Sequence, residues 1–145
     1  MRRLIFDTCF WFALYDPSDS KHSLASKMIS DFENSDVKII IPFPSLYETL
    51  NTDFVSKKKQ LAAFREALSN RGKIEFVFDE PYKEEACSMT FDQDKDKKAS
   101  LVDNVILLML GDKSLNIDAV VTFNGRDFAE PCRNYGKEMI CYSLK

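Results

Sequence analysis

The sequence has 145 residues, of which 45% are hydrophobic and 12% aromatic, and a formal net charge of −3. These values are typical of one compact folded domain, and the negative charge excludes a general electrostatic attraction to nucleic acid. The longest apolar run of the second half, residues 105–110, is far shorter than the ~20 residues of a membrane-spanning helix, so we expect no membrane segment.

Strands and helices are predicted to alternate along the chain. Short apolar runs predict strands at residues 4–6, 37–41, 74–78, 119–123 and 139–142. Apolar residues at helical spacing predict helices at residues 22–33, 45–57, 60–69, 82–91 and 100–114. This alternation favours an α/β domain with a largely parallel sheet, whose ligand sites lie at the carboxyl ends of the strands. Asp7 and the segment 122–127 each follow a predicted strand.

The four cysteines form no Cys-x-x-Cys pair, and the sequence contains one histidine, His22. No zinc or haem motif can therefore be assembled by spacing. We expect reduced, mostly buried thiols, as in a cytoplasmic protein.

Basic residues occur in three groups that could hold a polyanion locally. They are Lys57 to Lys59 with Arg65, then Arg71 with Lys73, and finally Lys95, Lys97 and Lys98. For each group taken alone, a solvated surface is the simpler interpretation.

Three carboxylates stand alone in apolar sequence. Asp7 is the only charged residue between Arg3 and Asp16, and Glu48 and Asp103 are each similarly isolated. Burial of an unpaired charge is costly enough that such a group normally pairs, binds a metal or becomes neutral. If the three acids converge, their mutual repulsion requires a cation, and oxygen ligands favour Mg²⁺ or Mn²⁺.

Each carboxylate also has a conformational explanation. Asp7 could cap a following helix, whereas Ser45-x-x-Glu48 and Ser100-x-x-Asp103 both have the pattern of a capping box. Capping alone does not require such apolar surroundings, however, which keeps the metal-site hypothesis in place.

Four motifs together resemble a PIN domain, most closely the short free-standing VapC-type toxins. They are Leu4-Ile5-Phe6-Asp7-Thr8, then Ser45-Leu46-Tyr47-Glu48-Thr49-Leu50, Ser100-Leu101-Val102-Asp103, and Val121-Thr122-x-Asn124-x-x-Asp127-Phe128. The resemblance covers nearly the whole chain, residues 1–145, as a single PIN-like domain. It implies a three-layer fold with a mainly parallel sheet, and Mg²⁺- or Mn²⁺-dependent endonucleolytic cleavage of RNA. It further implies a cognate antitoxin and a homodimer.

The resemblance also assigns residues to roles. Asp7, Glu48 and Asp103 would hold one or two metal ions that activate water and stabilise charge on the phosphodiester. Thr8 and Thr122 could orient ligands or water, or could simply bond the local backbone.

The fourth motif departs from the family pattern, which often has Asp where this chain has Asn124. We favour Asp127 as the fourth acid, acting directly or through a metal-bound water. The alternatives are that Asn124 supports a left-handed turn beside Gly125, and that Asp127 caps a helix or pairs with Arg126.

Two other functions fit part of the pattern. A haloacid-dehalogenase-like phosphatase also presents Asp at the end of an apolar strand, but it requires a second Asp where this chain has Cys9. A catalytically inactive PIN-like module that binds RNA or protein is the second alternative.

Overall fold

The computed structural model describes residues 1–141, which include five strands. They are β1 (Arg2–Phe6), β2 (Val37–Pro42), β3 (Ile74–Val77), β4 (Ala119–Thr122) and β5 (Glu138–Cys141). All pair in parallel, in the order β3-β2-β1-β4-β5. The predicted α/β class with a mainly parallel sheet is therefore confirmed. Each predicted strand has a counterpart, although Tyr142, the last residue of the predicted fifth strand, lies outside the described residues.

Eight α-helices occur in the same range. They are α1 (Thr8–Tyr15), α2 (His22–Glu33), α3 (Phe43–Thr49), α4 (Thr52–Ser56), α5 (Lys58–Leu68), α6 (Lys83–Asp92), α7 (Leu101–Gly111) and α8 (Gly125–Tyr135). A short 3-10 helix follows α7 at Lys113–Leu115. None of the helices within residues 1–141 is long and apolar enough to cross a membrane.

The predicted helix at residues 45–57 is wrong as a single element. In the structure α3 ends at Thr49, and α4 begins at Thr52. The Asn51 side chain accepts a 3.0 Å hydrogen bond from the backbone N–H of Phe54 and so caps the second helix. An asparagine N-cap competes with helix continuation, which explains why the apolar spacing alone was misleading.

Alternating side chains of the strands divide the core into two layers. Leu4 and Phe6 of β1 face the same side as Trp11 of α1, together with helices α2 and α5. Ile5 faces the opposite side, where it joins Met109 of α7 and the buried residues of α6 and α8. Both faces of the sheet are apolar and covered by helices, which is the three-layer arrangement expected of parallel sheets.

The strand order reverses beside β1. From β1 the chain first adds β2 and β3 on one side of the sheet, and later adds β4 and β5 on the other. In open α/β sheets, ligands bind in the crevice outside the strand ends at such a reversal. The carboxyl ends of β1 and β4, which carry Asp7 and Thr122, lie at this point.

Candidate acidic site

Asp7 lies at the junction of β1 and α1 and is 6% exposed. It is the N-cap of α1, with Oδ1 accepting a 2.8 Å hydrogen bond from the Thr8 N–H. The Thr122 hydroxyl donates to Oδ2 at 2.9 Å, and the Cys9 thiol donates to the same oxygen at 3.4 Å. The carboxylate is therefore fixed by two neighbouring strand ends, while it also caps a helix as expected.

The environment of Asp7 opposes its ionisation. Burial raises the pKa of the Asp7 carboxyl, and the nearby charge of Asp103 raises it further. The hydrogen bonds from Thr122, Cys9 and Thr8 act in the opposite direction, because they favour the charged form. No ion pair within residues 1–141 provides Asp7 with a cation. A bound metal ion would supply that missing positive charge.

Asp103 takes part in the predicted capping box at the start of α7. Its backbone N–H donates to the Ser100 hydroxyl at 3.1 Å, and its Oδ2 accepts from the Ser100 N–H at 3.1 Å. The capping explanation is therefore correct for this residue. The charge of Asp103 nevertheless acts on Asp7, where it raises the pKa of the carboxyl.

Glu48 lies on α3 and is exposed, contrary to the burial that its apolar sequence neighbours suggest. Helix α3 turns Leu46 and Thr49 into the core and leaves Tyr47 and Glu48 at the surface. The Thr8 hydroxyl donates a 2.8 Å hydrogen bond to Glu48 Oε1.

The capping box proposed for Glu48 is absent. Ser45 lies inside α3 instead of preceding it, and its buried hydroxyl has no hydrogen-bond partner within residues 1–141. The capping explanation is therefore wrong for Glu48, and its contact in the described structure is with Thr8.

The segment after β4 joins the remaining candidate residues. The Thr122 hydroxyl accepts a 2.9 Å hydrogen bond from the Asn124 N–H, and Asn124 Nδ2 donates to Asp127 Oδ2 at 2.6 Å. Asn124 has a φ of −108°, so the left-handed turn is not formed. Asp127 lies in the first turn of α8, and within the described range it forms no ion pair with Arg126. The N-cap residue of α8 is Asn124 and not Asp127. The left-handed turn, the Asp127 cap and the pair with Arg126 are therefore all wrong.

Solved structures with the same architecture include VapC20 of Mycobacterium tuberculosis, a toxin that cleaves the sarcin-ricin loop. It matches with a TM-score of 0.68 and 21% sequence identity, covering 88% of this chain and 94% of that chain. The chain has the PIN-like fold of VapC. VapBC2 from Rickettsia felis, solved with a DNA fragment from their promoter, matches with a TM-score of 0.58 and 13% identity, over 97% and 99% of the two chains. The sequence matches no protein-family model and no curated protein.

On this PIN-like fold, Asp7, Glu48 and Asp103 are the candidate residues of an acidic site. Within residues 1–141, no three His, Cys, Asp or Glu side chains lie close enough together to hold one ion as they stand. The chemistry of the donor set fits Mg²⁺ or Mn²⁺, since the candidate ligands are carboxylates and the buried Asp7 has no cationic partner within residues 1–141. Glu48 is exposed and Asp103 is half-buried, and their carboxylates accept hydrogen bonds from Thr8 and Ser100.

Cys9 is a site residue that the sequence reasoning missed. Its sulfur lies 3.8 Å from Thr122 Oγ1 and accepts a 3.4 Å hydrogen bond from the Phe123 N–H. Burial raises the pKa of the Cys9 thiol to about 12, with a further contribution from the Asp7 charge. The thiol therefore stays protonated at neutral pH and can donate to Asp7. No signal in a single sequence separates such a cysteine from one in the core.

Proposed function

We propose that this protein is a metal-dependent endoribonuclease that hydrolyses RNA phosphodiester bonds, and that it is the toxin of a toxin-antitoxin pair. The buried Asp7, which has no cationic partner within residues 1–141 and lies at the strand-order reversal, is the observation that carries the proposal. A carboxylate held in that position costs stability unless it serves a ligand.

Asp7, Glu48 and Asp103 would hold Mg²⁺ or Mn²⁺, with Asp127 as a fourth acid. When bound, the ion supplies an activated water and neutralises charge on the attacked phosphate. Thr122 and Cys9 fix the Asp7 carboxylate by donating to one oxygen, while Thr8 connects Asp7 with Glu48. No covalent nucleophile is needed, and the protonated Cys9 thiol is poorly suited to be one.

The partners follow from the fold likeness. A cognate antitoxin is supported by the match to VapBC2, and RNA as substrate by the match to VapC20. A homodimer and a cytoplasmic location complete the proposal as expectations of the same resemblance.

The decisive experiment compares RNA cleavage by the wild-type protein and Asp7→Asn, in excess EDTA and after addition of Mg²⁺ or Mn²⁺. The matched control is Asp31→Asn, which removes an exposed carboxylate from α2 without touching the acidic site. We expect cleavage only when metal is present, none by Asp7→Asn and normal cleavage by the control. Full activity in the chelator would refute the mechanism.

A separate measurement distinguishes the nuclease from an inactive PIN-like binding module. Mn²⁺ binding by the wild-type protein, followed by calorimetry, should be saturable and should be weakened by Asp7→Asn. Absence of such binding, together with RNA binding in EDTA, would favour the module.

A further inference from the structure

A groove of about 320 Å³ opens beside the acidic site, between α3 and the start of α7. It is lined by Pro44, Tyr47 and Glu48 on one side and by Leu101, Val102 and Val105 on the other. Glu48 belongs to both the groove and the acidic site, and Asp103 lies on α7 between two of the lining residues. The groove is therefore continuous with the acidic site.

The walls of this groove are apolar yet open to solvent. Tyr47 is 74% exposed and Leu101 is 44% exposed. The Tyr47 ring packs edge-on against Phe43, with ring centroids 5.6 Å apart, and its surroundings are otherwise largely solvent. Exposed apolar side chains that line a concave surface next to a reactive site are a common feature of ligand recognition.

The groove lining also includes a carboxylate without a hydrogen-bond partner among residues 1–141. Asp79, in the segment between β3 and α6, lines it, and within residues 1–141 its carboxylate accepts no hydrogen bond from another residue. Lys83 also lines the groove and interacts with the charge of Asp79, but its 2.8 Å ion pair is with Glu80. A ligand with paired N–H donors would therefore find a carboxylate free to receive them.

We propose that this groove binds one unpaired base of an RNA substrate, with a preference for guanine; the inference rests on the proposed nuclease function. Unpaired bases in RNA are recognised by stacking on aromatic side chains and by hydrogen bonds to their edges. Guanine offers two adjacent N–H donors on its Watson–Crick edge, which match the two oxygens of Asp79. The other three bases present an acceptor beside the donor, and a carboxylate repels it.

The size of the groove favours a base over a protein segment. Ligand pockets range from ~300 to 1,000 Å³, so this one is at the lower limit. An α-helix with its side chains is ~10–12 Å across and needs a longer trough. A base placed here would be joined to a phosphate at the acidic site by its own ribose, which explains why the groove and the acids share Glu48.

The test is an NMR titration of the metal-free protein, in EDTA, with guanosine 5′-monophosphate and with adenosine 5′-monophosphate. No cleavage takes place under these conditions, and repulsion of the phosphate cancels in the ratio of the two affinities. We expect saturable shifts at the amides of Tyr47, Leu101 and Val102, with tighter binding of the guanine nucleotide.

Variants then assign the binding to individual side chains. Tyr47→Ala should weaken binding by roughly 5- to 150-fold, as expected for the loss of one base-aromatic stack, whereas Tyr47→Phe should retain it. Phe91→Ala is the control, because Phe91 is 86% exposed on α6 and does not line the groove. Asp79→Asn should abolish the preference for guanine, because it weakens guanine binding and removes the charge that repels the ring acceptor of adenine.

Several outcomes would overturn the inference. Among them are shifts away from the groove, equal loss in Tyr47→Ala and Phe91→Ala, and an unchanged preference in Asp79→Asn. Binding of an apolar dye that Tyr47→Ala removes, without nucleotide binding, would instead identify a protein-docking surface.

RNA cleavage with an unaltered KM in Tyr47→Ala would leave the proposed function standing and refute this groove. Nucleotide binding in the groove, with no RNA cleavage in the presence of any metal ion, would support this groove and refute the proposed function.

Discussion

The hydroxyl of Thr8 donates a 2.8 Å hydrogen bond to Glu48 Oε1, although the two residues lie on different helices. The backbone N–H of Thr8 also donates to Asp7 Oδ1 at 2.8 Å. Thr8 therefore donates hydrogen bonds to two of the three acids, Asp7 and Glu48. The sequence had indicated only that its hydroxyl could orient a ligand or a water.

Thr8→Val removes the hydroxyl while preserving shape, so Glu48 should lose its fixed orientation. We expect Mn²⁺ affinity or activity to fall by ~10–100-fold, the usual effect of losing a group that orients a metal ligand. Thr8→Ser, which retains the hydroxyl, should stay near the wild type. Calorimetric titration with Mn²⁺ measures the difference, and equal behaviour of the two variants would show that the hydrogen bond is irrelevant.

Asp127→Asn should reduce Mg²⁺ affinity or activity by at least ~10-fold, and Asn124→Ala should have the smaller effect. Because Asn124 Nδ2 donates to Asp127 Oδ2, the two substitutions should not be additive, and a double-mutant cycle should reveal their coupling. A larger effect of Asn124→Ala than of Asp127→Asn would reverse the roles of these residues.

Asp7→Asn should stabilise the metal-free protein at pH 7.5. Folding raises the pKa of Asp7 above its ordinary value of 3.8, so the folded protein binds this proton more tightly than the unfolded chain does. Ionisation of Asp7 therefore lowers the free energy of unfolding. This loss is absent at a pH below the pKa of Asp7 in the unfolded chain, and it develops as the pH rises through the higher pKa of the folded protein. Thermal melts in EDTA should therefore show a higher Tm for Asp7→Asn at pH 7.5, with the gap closing towards pH 4. A lower Tm at pH 7.5 would contradict this, and Asp31→Asn serves as the control.

Cys9 should resist alkylation in the folded protein. Its pKa of about 12 leaves very little thiolate at pH 8, and thiolate is the reactive form. Treatment with iodoacetamide followed by mass spectrometry should find Cys9 unmodified in buffer and modified in urea. Rapid labelling of the native protein would mean that the thiol does not donate to Asp7.

The sheet could be predicted because its central strands, β1, β2 and β4, each contain an apolar run of at least three residues, as expected of strands covered on both faces. Helix α1 had no predicted bounds, since its sequence, Thr-Cys-Phe-Trp-Phe-Ala-Leu-Tyr, is apolar on every side and has no helical period. Helix α8 contains Pro131 and begins at Gly125, two residues that usually argue against a helix. In both cases tertiary packing decides the conformation.

For the candidate site, isolation in apolar sequence correctly indicated a buried Asp7 but failed for Glu48. The difference is geometric: Asp7 follows the buried end of the central strand β1, whereas Glu48 lies on the face of α3 that is turned to solvent. The contacts of Cys9 with Thr122 and Phe123 join two strand ends that are far apart in sequence, so no local pattern could contain them.

The pairing of β4 with β1 determines when the acidic site can form during synthesis of the chain. Asp7 emerges early during synthesis, yet the hydroxyl that holds its Oδ2 belongs to Thr122, and the strand that closes this side of β1 is Ala119–Thr122. A nascent chain that ends before this strand has the first three acids but no crevice in which to hold them. We therefore expect the acidic site to assemble only after β4 has left the ribosome.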